Sequence, residues 1–263
     1  MIELDNVRVQ YQGASRPAVR DATLTISAGT FVALVGPSGS GKTSLLKTIN
    51  RLVEPSGGAI RIDDRDISDF APHELRRRIG YVFQGVGLFP HMSVRENIAI
   101  TPSLLGWSRE KIAARVDAVF DLVALPRDYL DRAPAALSGG ERQRVAVARA
   151  LAAEPRIVIM DEPFGALDPV TRDALGQAYR ALHERMDLTT VMVTHDVQEA
   201  ALLADRIVVL GDGAIVADDT PRAMLAGAHP DASALFETAR RQAARIADLA
   251  RIADLARGAE PRP

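Results

Sequence analysis

A glycine-rich loop with one lysine and one threonine carries the clearest chemistry in the sequence. Residues 36–43 follow the apolar run 31–35, a predicted strand, and precede residues 44–49, a predicted helix. Glycines at these spacings let backbone N–H groups turn toward an anion, and the helix start adds positive potential. Lys42 would reach the β- and γ-phosphates, and the Thr43 hydroxyl would bind Mg²⁺. The segment therefore predicts a P-loop that binds a nucleoside triphosphate.

Two adjacent carboxylates follow a second apolar run. Residues 157–160 form a predicted buried strand that ends in Asp161 and Glu162. In a P-loop protein, Asp161 is the acid expected to hold Mg²⁺, directly or through water. Glu162 is the candidate base that orients and deprotonates the attacking water. Alone, such a pair is typical of a solvated loop; beside a P-loop it predicts hydrolysis.

A second anion-binding segment lies at residues 137–141. Ser138 is a good helix cap, and Gly139 and Gly140 expose backbone N–H groups at the positive end of a predicted helix over residues 142–153. Because the P-loop already covers one side of a triphosphate, this cradle would close from the other side, most simply from a second molecule. An ordinary capped helix is the alternative.

Composition excludes several classes of function. The 263 residues have a formal net charge of −2 and a pI near 6.2, which argue against a primary role on nucleic acid. The absence of cysteine excludes disulfides and thiolate metal sites and suits the cytoplasm. The first residues lack the pattern of a signal peptide, and the apolar runs are too short for a membrane span. We therefore expect partner chains to cross any membrane at which the protein acts.

The order of predicted elements indicates an α/β fold. Alternating apolar positions in residues 1–30 predict antiparallel strands, and the pattern from about residue 91 to 154 is helical. Strands alternate with helices around the P-loop, which predicts a parallel sheet with helices on both faces. The further predicted strands are residues 59–62, 79–83, 157–160 and 190–193, and a hairpin over 208–216.

These motifs, taken in order, resemble the ATP-binding subunit of ATP-binding cassette (ABC) transporters over about residues 1–225. The matching segments are Walker A (36–43), Walker B (161–162), the signature (137–141), the Q-loop Gln84, the D-loop (166–168), the switch residue His195 and the adenine-stacking Tyr11. The resemblance implies a P-loop NTPase (RecA-like) core with an antiparallel β subdomain and an inserted helical subdomain at about 85–154. We expect the ATP-binding domain at 1–227 and a helical tail at 228–263.

The resemblance also implies a nucleotide-sandwich homodimer, with each ATP between one chain's P-loop and the other chain's Ser138 segment. Glu162, His195 and Gln84 would be catalytic, and Thr43, Gln84 and Asp161 would hold Mg²⁺. The expected nucleotide contacts are Tyr11, Gly36, Pro37, Ser38, Gly39, Ser40, Gly41, Lys42, Thr43, Ser44, Ser138, Gly139, Gly140, Glu141 and Asp168.

Two positions depart from the family pattern. Glu141 stands where the signature usually has glutamine, and Gly165 stands where the D-loop often has serine. A carboxylate in the first helical turn is favoured by the helix dipole, so we expect Glu141 to preserve function.

An apolar segment after Gln84 suggests a partner. In ABC importers the region between Leu88 and Met92 receives a helix of the membrane permease, and we expect docking there; burial against the helical subdomain is the alternative. Residues 80–92 and 102–107 resemble the glycine betaine/carnitine/choline branch. That likeness implies an ATPase serving uptake of a quaternary amine osmoprotectant, peripheral to the cytoplasmic face of the inner (plasma) membrane, with a substrate-binding protein as indirect partner. Import of amino acids, taurine or nitrate, a soluble ABC ATPase, and export are the alternatives.

The tail contains an internal repeat. The hexapeptide at 245–250 recurs at 251–256, with arginine and aspartate at helical spacing. The pattern predicts a solvated, fraying terminal helix; a docking or regulatory element is the alternative.

Overall fold

A computed structural model of the chain describes residues 1–85 and 87–258, apart from the side chains of residues 243 and 246–258. The central sheet has six strands in the order β10-β9-β3-β8-β7-β6. All neighbours are parallel except β10, which runs antiparallel to β9. The strands are β3 (Phe31–Val35), β6 (Ile79–Val82), β7 (Ile157–Asp161), β8 (Thr189–Val193), β9 (Arg206–Gly211) and β10 (Ala214–Asp219). The carboxyl ends of the parallel strands share one edge, so the residues that follow them meet there.

A second, antiparallel sheet confirms the prediction for residues 1–30. Its order is β2-β1-β4-β5, with β1 (Ile2–Val9), β2 (Val19–Ile26), β4 (Gly57–Ile62) and β5 (Arg65–Asp66). Strand β4 begins two residues before the strand predicted at 59–62, so Gly57 and Gly58 lie inside it. Gly58 has a φ of 81° opposite the point where the register of β1 shifts, so glycine accommodates an irregularity within the strand.

Nine α-helices lie within the described residues, and none of them is long and apolar enough to cross a bilayer. They are α1 (Lys42–Ile49), α2 (Pro72–Arg78), α3 (Val94–Leu104), α4 (Arg109–Leu122), α5 (Gly139–Leu151), α6 (Pro169–Met186), α7 (Val197–Leu203), α8 (Pro221–Ala226) and α9 (Pro230–Gly258). Three single-turn 3₁₀ segments complete the order at Ile67–Asp69, Arg127–Asp131 and Pro134–Ala136.

The two faces of the central sheet pack in different ways. Alternate residues such as Phe31 and Val158 join a core formed with the helices, as predicted. Val32 and Ile159 point to the other face, where α1 and the antiparallel sheet cover them together. Helices therefore lie on both faces, as predicted, and the antiparallel sheet shares one of those faces with α1. Each antiparallel strand has its own apolar face to bury, and the central sheet offers the matching surface.

The first turns of the tail are packed against the core. Helix α9 packs against α7, α8 and β10, and Ala232, Phe236 and Ala239 are buried in the main core. Their spacing of four and three residues places them on one helical face. The solvated, fraying helix was predicted from the repeat at 245–256, whose side chains from residue 246 onward lie outside the described residues, so it stays a prediction.

Candidate active site

The P-loop joins the carboxyl end of β3 to α1, as the sequence predicted. A Cβ atom at Gly36 would overlap the carbonyl oxygen of Leu210, and one at Gly41 would overlap that of Ala18. Their φ angles of 150° and 97° are also unfavourable for other residues. The loop can therefore curl against its neighbours only with glycine at these positions. The same loop contains Pro37, Ser38, Gly39 and Ser40.

Lys42 is folded back onto this loop. Its Nζ donates hydrogen bonds of 2.8 Å to the carbonyl oxygens of Gly36 and Pro37. Burial lowers the pKa of Lys42, and the nearby charges of Glu162 and Asp161 oppose that shift. The ammonium group is thus held where neutral carbonyls are its acceptors, and the anionic oxygens of a phosphate would bind it more strongly.

Asp161 and Thr43 meet across 118 positions of sequence. Thr43 Oγ1 donates a 2.8 Å hydrogen bond to Asp161 Oδ1, and the carboxylate is fully buried. Asp161 Oδ2 has no hydrogen-bond partner, and Lys47 Nζ lies 3.8 Å from it. A buried carboxylate oxygen without a partner is costly unless a cation satisfies it. The hydroxyl and the orphaned oxygen are hard oxygen ligands of the kind that Mg²⁺ prefers.

The protein supplies few ligands for such an ion. Within the described part of the chain, no group of three or more His, Cys, Asp or Glu side chains could hold a metal. Mg²⁺ commonly binds one or two protein oxygens and takes the rest from water and phosphates. Thr43 and Asp161 fit that pattern.

Glu162 and His195 are brought together at the ends of β7 and β8. Glu162 Oε2 lies 2.7 Å from His195 Nδ1, and the Glu162 N–H donates to the Val193 carbonyl at 2.9 Å. Glu162 has a φ of 51°, a left-handed conformation that costs a non-glycine residue about 1–3 kcal/mol. The histidine side chain is 74% exposed and the glutamate only 18%. The pair combines a sheltered carboxylate with an accessible imidazole.

Gln84 and Tyr11 are both exposed and have fewer contacts with the site than Thr43, Asp161, Glu162 and His195 have with one another. Gln84 follows β6 and is exposed, and its side chain makes no hydrogen bond to any residue that the structure describes. Tyr11 is also exposed, but its hydroxyl shares a 3.0 Å hydrogen bond with Ser44 Oγ on α1. The structure thus brings the Tyr11 hydroxyl to the start of α1, next to the P-loop, and shows no hydrogen bond between Gln84 and either carboxylate.

The Ser138 segment begins helix α5 with a capping box. Ser138 Oγ accepts from the Glu141 N–H at 3.2 Å, and Glu141 Oε2 accepts from the Ser138 N–H at 2.7 Å. The second bond lowers the pKa of Glu141. The departure at Glu141 therefore has a structural use, since its carboxylate satisfies a backbone donor. Among the described residues, no hydrogen bond links this segment to the P-loop of the same chain.

Asp168 caps helix α6, and sequence reasoning missed the arginine one turn later. Asp168 Oδ1 accepts from the Thr171 N–H at 3.0 Å, and this bonding lowers the pKa of Asp168. Arg172 donates to Asp196 Oδ2 and to the Leu167 carbonyl, both at 3.2 Å. The sequence signal that could have pointed to Arg172 is an arginine four positions after a helix-capping aspartate. Its hydrogen-bond partners are visible only in the folded structure.

A buried carboxyl group lies close to the same contacts. Burial raises the pKa of Glu199 on α7 to about 7, with Asp196 and Glu162 adding to the shift and Thr194 and Arg172 opposing it. The ordinary pKa of a glutamate side chain is 4.5. Between pH 4.5 and 7, Glu199 therefore keeps its proton in the folded chain and loses it in the unfolded chain. This group therefore reduces stability as pH rises through that window, by about 3 kcal/mol when complete.

Glu199→Gln removes this titration. We expect the variant's free energy of unfolding to exceed that of the wild type at pH 8 by more than at pH 5, as measured by urea denaturation. Glu54→Gln, the same substitution at an exposed glutamate, is the control for the loss of one carboxylate. A Glu199→Gln difference that is the same at pH 5 and at pH 8 would contradict the raised pKa of Glu199.

Comparison with known proteins decides the family. Residues 19–165 match the ABC transporter family. The chain is 52% identical over 225 residues to the carnitine transport ATP-binding protein OpuCA of Listeria monocytogenes, covering 86% of this chain and 56% of that protein. The chain belongs to the ABC transporter family. It therefore contains the ATP-binding cassette.

Two further ABC relatives define how far the likeness extends. The glycine betaine uptake system ATP-binding protein YehX of Escherichia coli is 48% identical over 225 residues, 86% of this chain and 72% of that protein. A dimeric ATP-binding cassette, MJ0796, solved in a post-hydrolysis state with ADP and Pi, has a TM-score of 0.79 at 34% identity, covering 84% of this chain and 99% of that one. The chain spans little more than half the length of OpuCA.

Proposed function

We propose that this chain is the ATP-hydrolysing subunit of an ABC importer that takes up a quaternary amine osmoprotectant, in the class of glycine betaine, carnitine and choline. The observation that carries the hydrolytic part is the convergence of Thr43, Asp161, Glu162 and His195 at one sheet edge beside the P-loop. The substrate class is supported by the names of OpuCA and YehX.

The mechanism begins with ATP held by the P-loop of one copy and the Ser138 segment of another. Lys42 stabilises phosphate charge, and Tyr11 provides an aromatic surface for adenine. Thr43, Asp161 and Gln84 would hold Mg²⁺, which when bound would supply neutralisation of phosphate charge. Glu162 accepts a proton from the attacking water, and ADP and phosphate are released. His195, in contact with Glu162, fixes the carboxylate's orientation.

A groove beside the segment between Leu88 and Met92 supports docking of a permease subunit. Its volume is about 290 Å³, and Tyr81, Phe83 and Phe89 contribute to its lining. Phe89 is 40% exposed and Phe83 37%, so two aromatic rings of the groove's lining reach the surface. In the importer the chain would lie at the cytoplasmic face of the plasma membrane, with the permease linking it to a substrate-binding protein.

Phe89→Asp is expected to abolish co-purification with the permease while ATP binding stays within threefold of wild type. The buried Asn97 side chain bonds the backbone of Phe89 and Met92, so the segment should keep its shape. Leu202→Asp, at an apolar side chain exposed elsewhere, is the matched control and should co-purify normally. Retained co-purification of Phe89→Asp would place docking elsewhere.

Transport in proteoliposomes tests the substrate class. The chain is reconstituted with the permease and binding protein from its own genome, and ATP-dependent uptake of glycine betaine, carnitine and choline is compared with that of an amino acid, taurine and nitrate. We expect uptake of at least one quaternary amine and none of the others. Uptake restricted to the second group would contradict the proposed substrate class but leave the hydrolytic mechanism standing.

A further inference from the structure

Arg172 bridges two loops that serve different parts of the cassette. One guanidinium nitrogen donates to Asp196, which directly follows the switch residue His195, and the other donates to the carbonyl of Leu167 in the D-loop. Asp196 also accepts from backbone N–H groups at the start of α7, so its carboxylate is fixed in place. Arginine suits this position because its planar fork serves two acceptors at once.

The bridge continues on both sides. On the D-loop side, a Cβ atom at Gly140 would lie 3.1 Å from Leu167 Cδ2, so Leu167 packs against the signature segment. On the switch side, His195 contacts Glu162 at 2.7 Å. A continuous series of contacts therefore runs from the signature segment through Arg172 to the candidate base.

In the proposed dimer these two ends act on different nucleotides. The signature segment and D-loop would face the partner's ATP, whereas Glu162 and His195 act on the ATP of their own P-loop. We propose that Arg172 is a positioning residue that couples the two ATP sites by holding the D-loop and the switch loop in a fixed relation. This inference rests on the dimeric mechanism proposed above.

The same helix provides a matched control. Arg180, two turns later on α6, bonds Asp205 at 2.7 Å, the Leu203 carbonyl at 2.9 Å and Glu184 on its own helix at 2.9 Å. The first two partners lie at the far end of α7, away from His195. Arg172→Ala and Arg180→Ala therefore each remove bonds that tie α6 to one end of α7, but only the first should change hydrolysis.

The test measures ATPase kinetics of the full chain in complex with its membrane subunits. For Arg172→Ala we expect kcat to fall roughly 10–100-fold, because a small displacement of reacting groups has effects of that order. KM for ATP should stay within threefold of the wild-type value. The Hill coefficient should fall toward 1, whereas in the wild type it should approach about 2, the number of coupled sites. Arg180→Ala should lower Tm at least as much as Arg172→Ala and keep wild-type kcat and Hill coefficient.

Two further variants identify the bond responsible. Asp196→Asn loses the charge but keeps a good helix cap, and it should reproduce the fall in Hill coefficient. The double variant Arg172→Ala/Asp196→Asn should be no worse than Arg172→Ala alone, because both changes break one link. Additive losses, or an unchanged Hill coefficient in Arg172→Ala, would overturn the coupling role. Failure of the proposed function is distinguishable, since the wild-type complex itself would then lack ATPase activity.

Discussion

Glu162→Gln is expected to lower ATP turnover by roughly 10²–10⁴-fold while ATP binding is retained, because an amide cannot accept the proton of the attacking water. The side chain would keep its shape, and its amide oxygen could still accept from His195 Nδ1, now 2.7 Å from Glu162 Oε2. Lys42, Thr43 and Asp161, which hold the phosphates and the metal in the proposed mechanism, are untouched. The loss should therefore appear in kcat rather than in affinity.

Single-turnover hydrolysis and equilibrium binding of ATP separate these two effects. Glu54→Gln makes the same chemical change at an exposed glutamate paired with Arg51, and it should hydrolyse ATP at the wild-type rate. If Glu162→Gln kept more than a tenth of wild-type turnover, Glu162 would not be the base. If it lost ATP binding as well, the change would have disturbed the P-loop.

Phe236→Ala is expected to lower the free energy of unfolding by about 3–5 kcal/mol, the usual cost of truncating a fully buried phenylalanine. Phe236 is 0% exposed on α9 and belongs to the main core. On the same helix, Gln242 accepts a 2.7 Å hydrogen bond from Gln198, which lies three residues after His195. Loss of the Phe236 ring should weaken this contact too.

Urea denaturation of the full chain measures this effect, and Leu202→Ala provides the control. Leu202 is 75% exposed on α7, so its truncation should change stability by less than about 0.5 kcal/mol. A Phe236→Ala loss equally small would mean that the tail does not dock in solution.

Local patterns were enough to predict the P-loop. Strand 31–35, the glycines and the start of α1 are neighbours in sequence, and glycine is required at Gly36 and Gly41 by the loop's own curvature and close packing. The antiparallel strands of residues 1–30 could also be predicted, because alternation of apolar residues shows that one face of each strand is buried. Family resemblance, rather than spacing, identified Gln84, His195 and Tyr11.

By itself, the sequence determined the class of fold, the phosphate-binding loop and the residue types available for hydrolysis, since each depends on short segments. Only the tertiary structure decided that Thr43 bonds Asp161, that Arg172 bonds both Asp196 and Leu167, and that Phe236 is buried. These facts depend on which surfaces pack together. A helix's own pattern shows that it has an apolar face, but the partner that covers this face is set by the shape of the whole core.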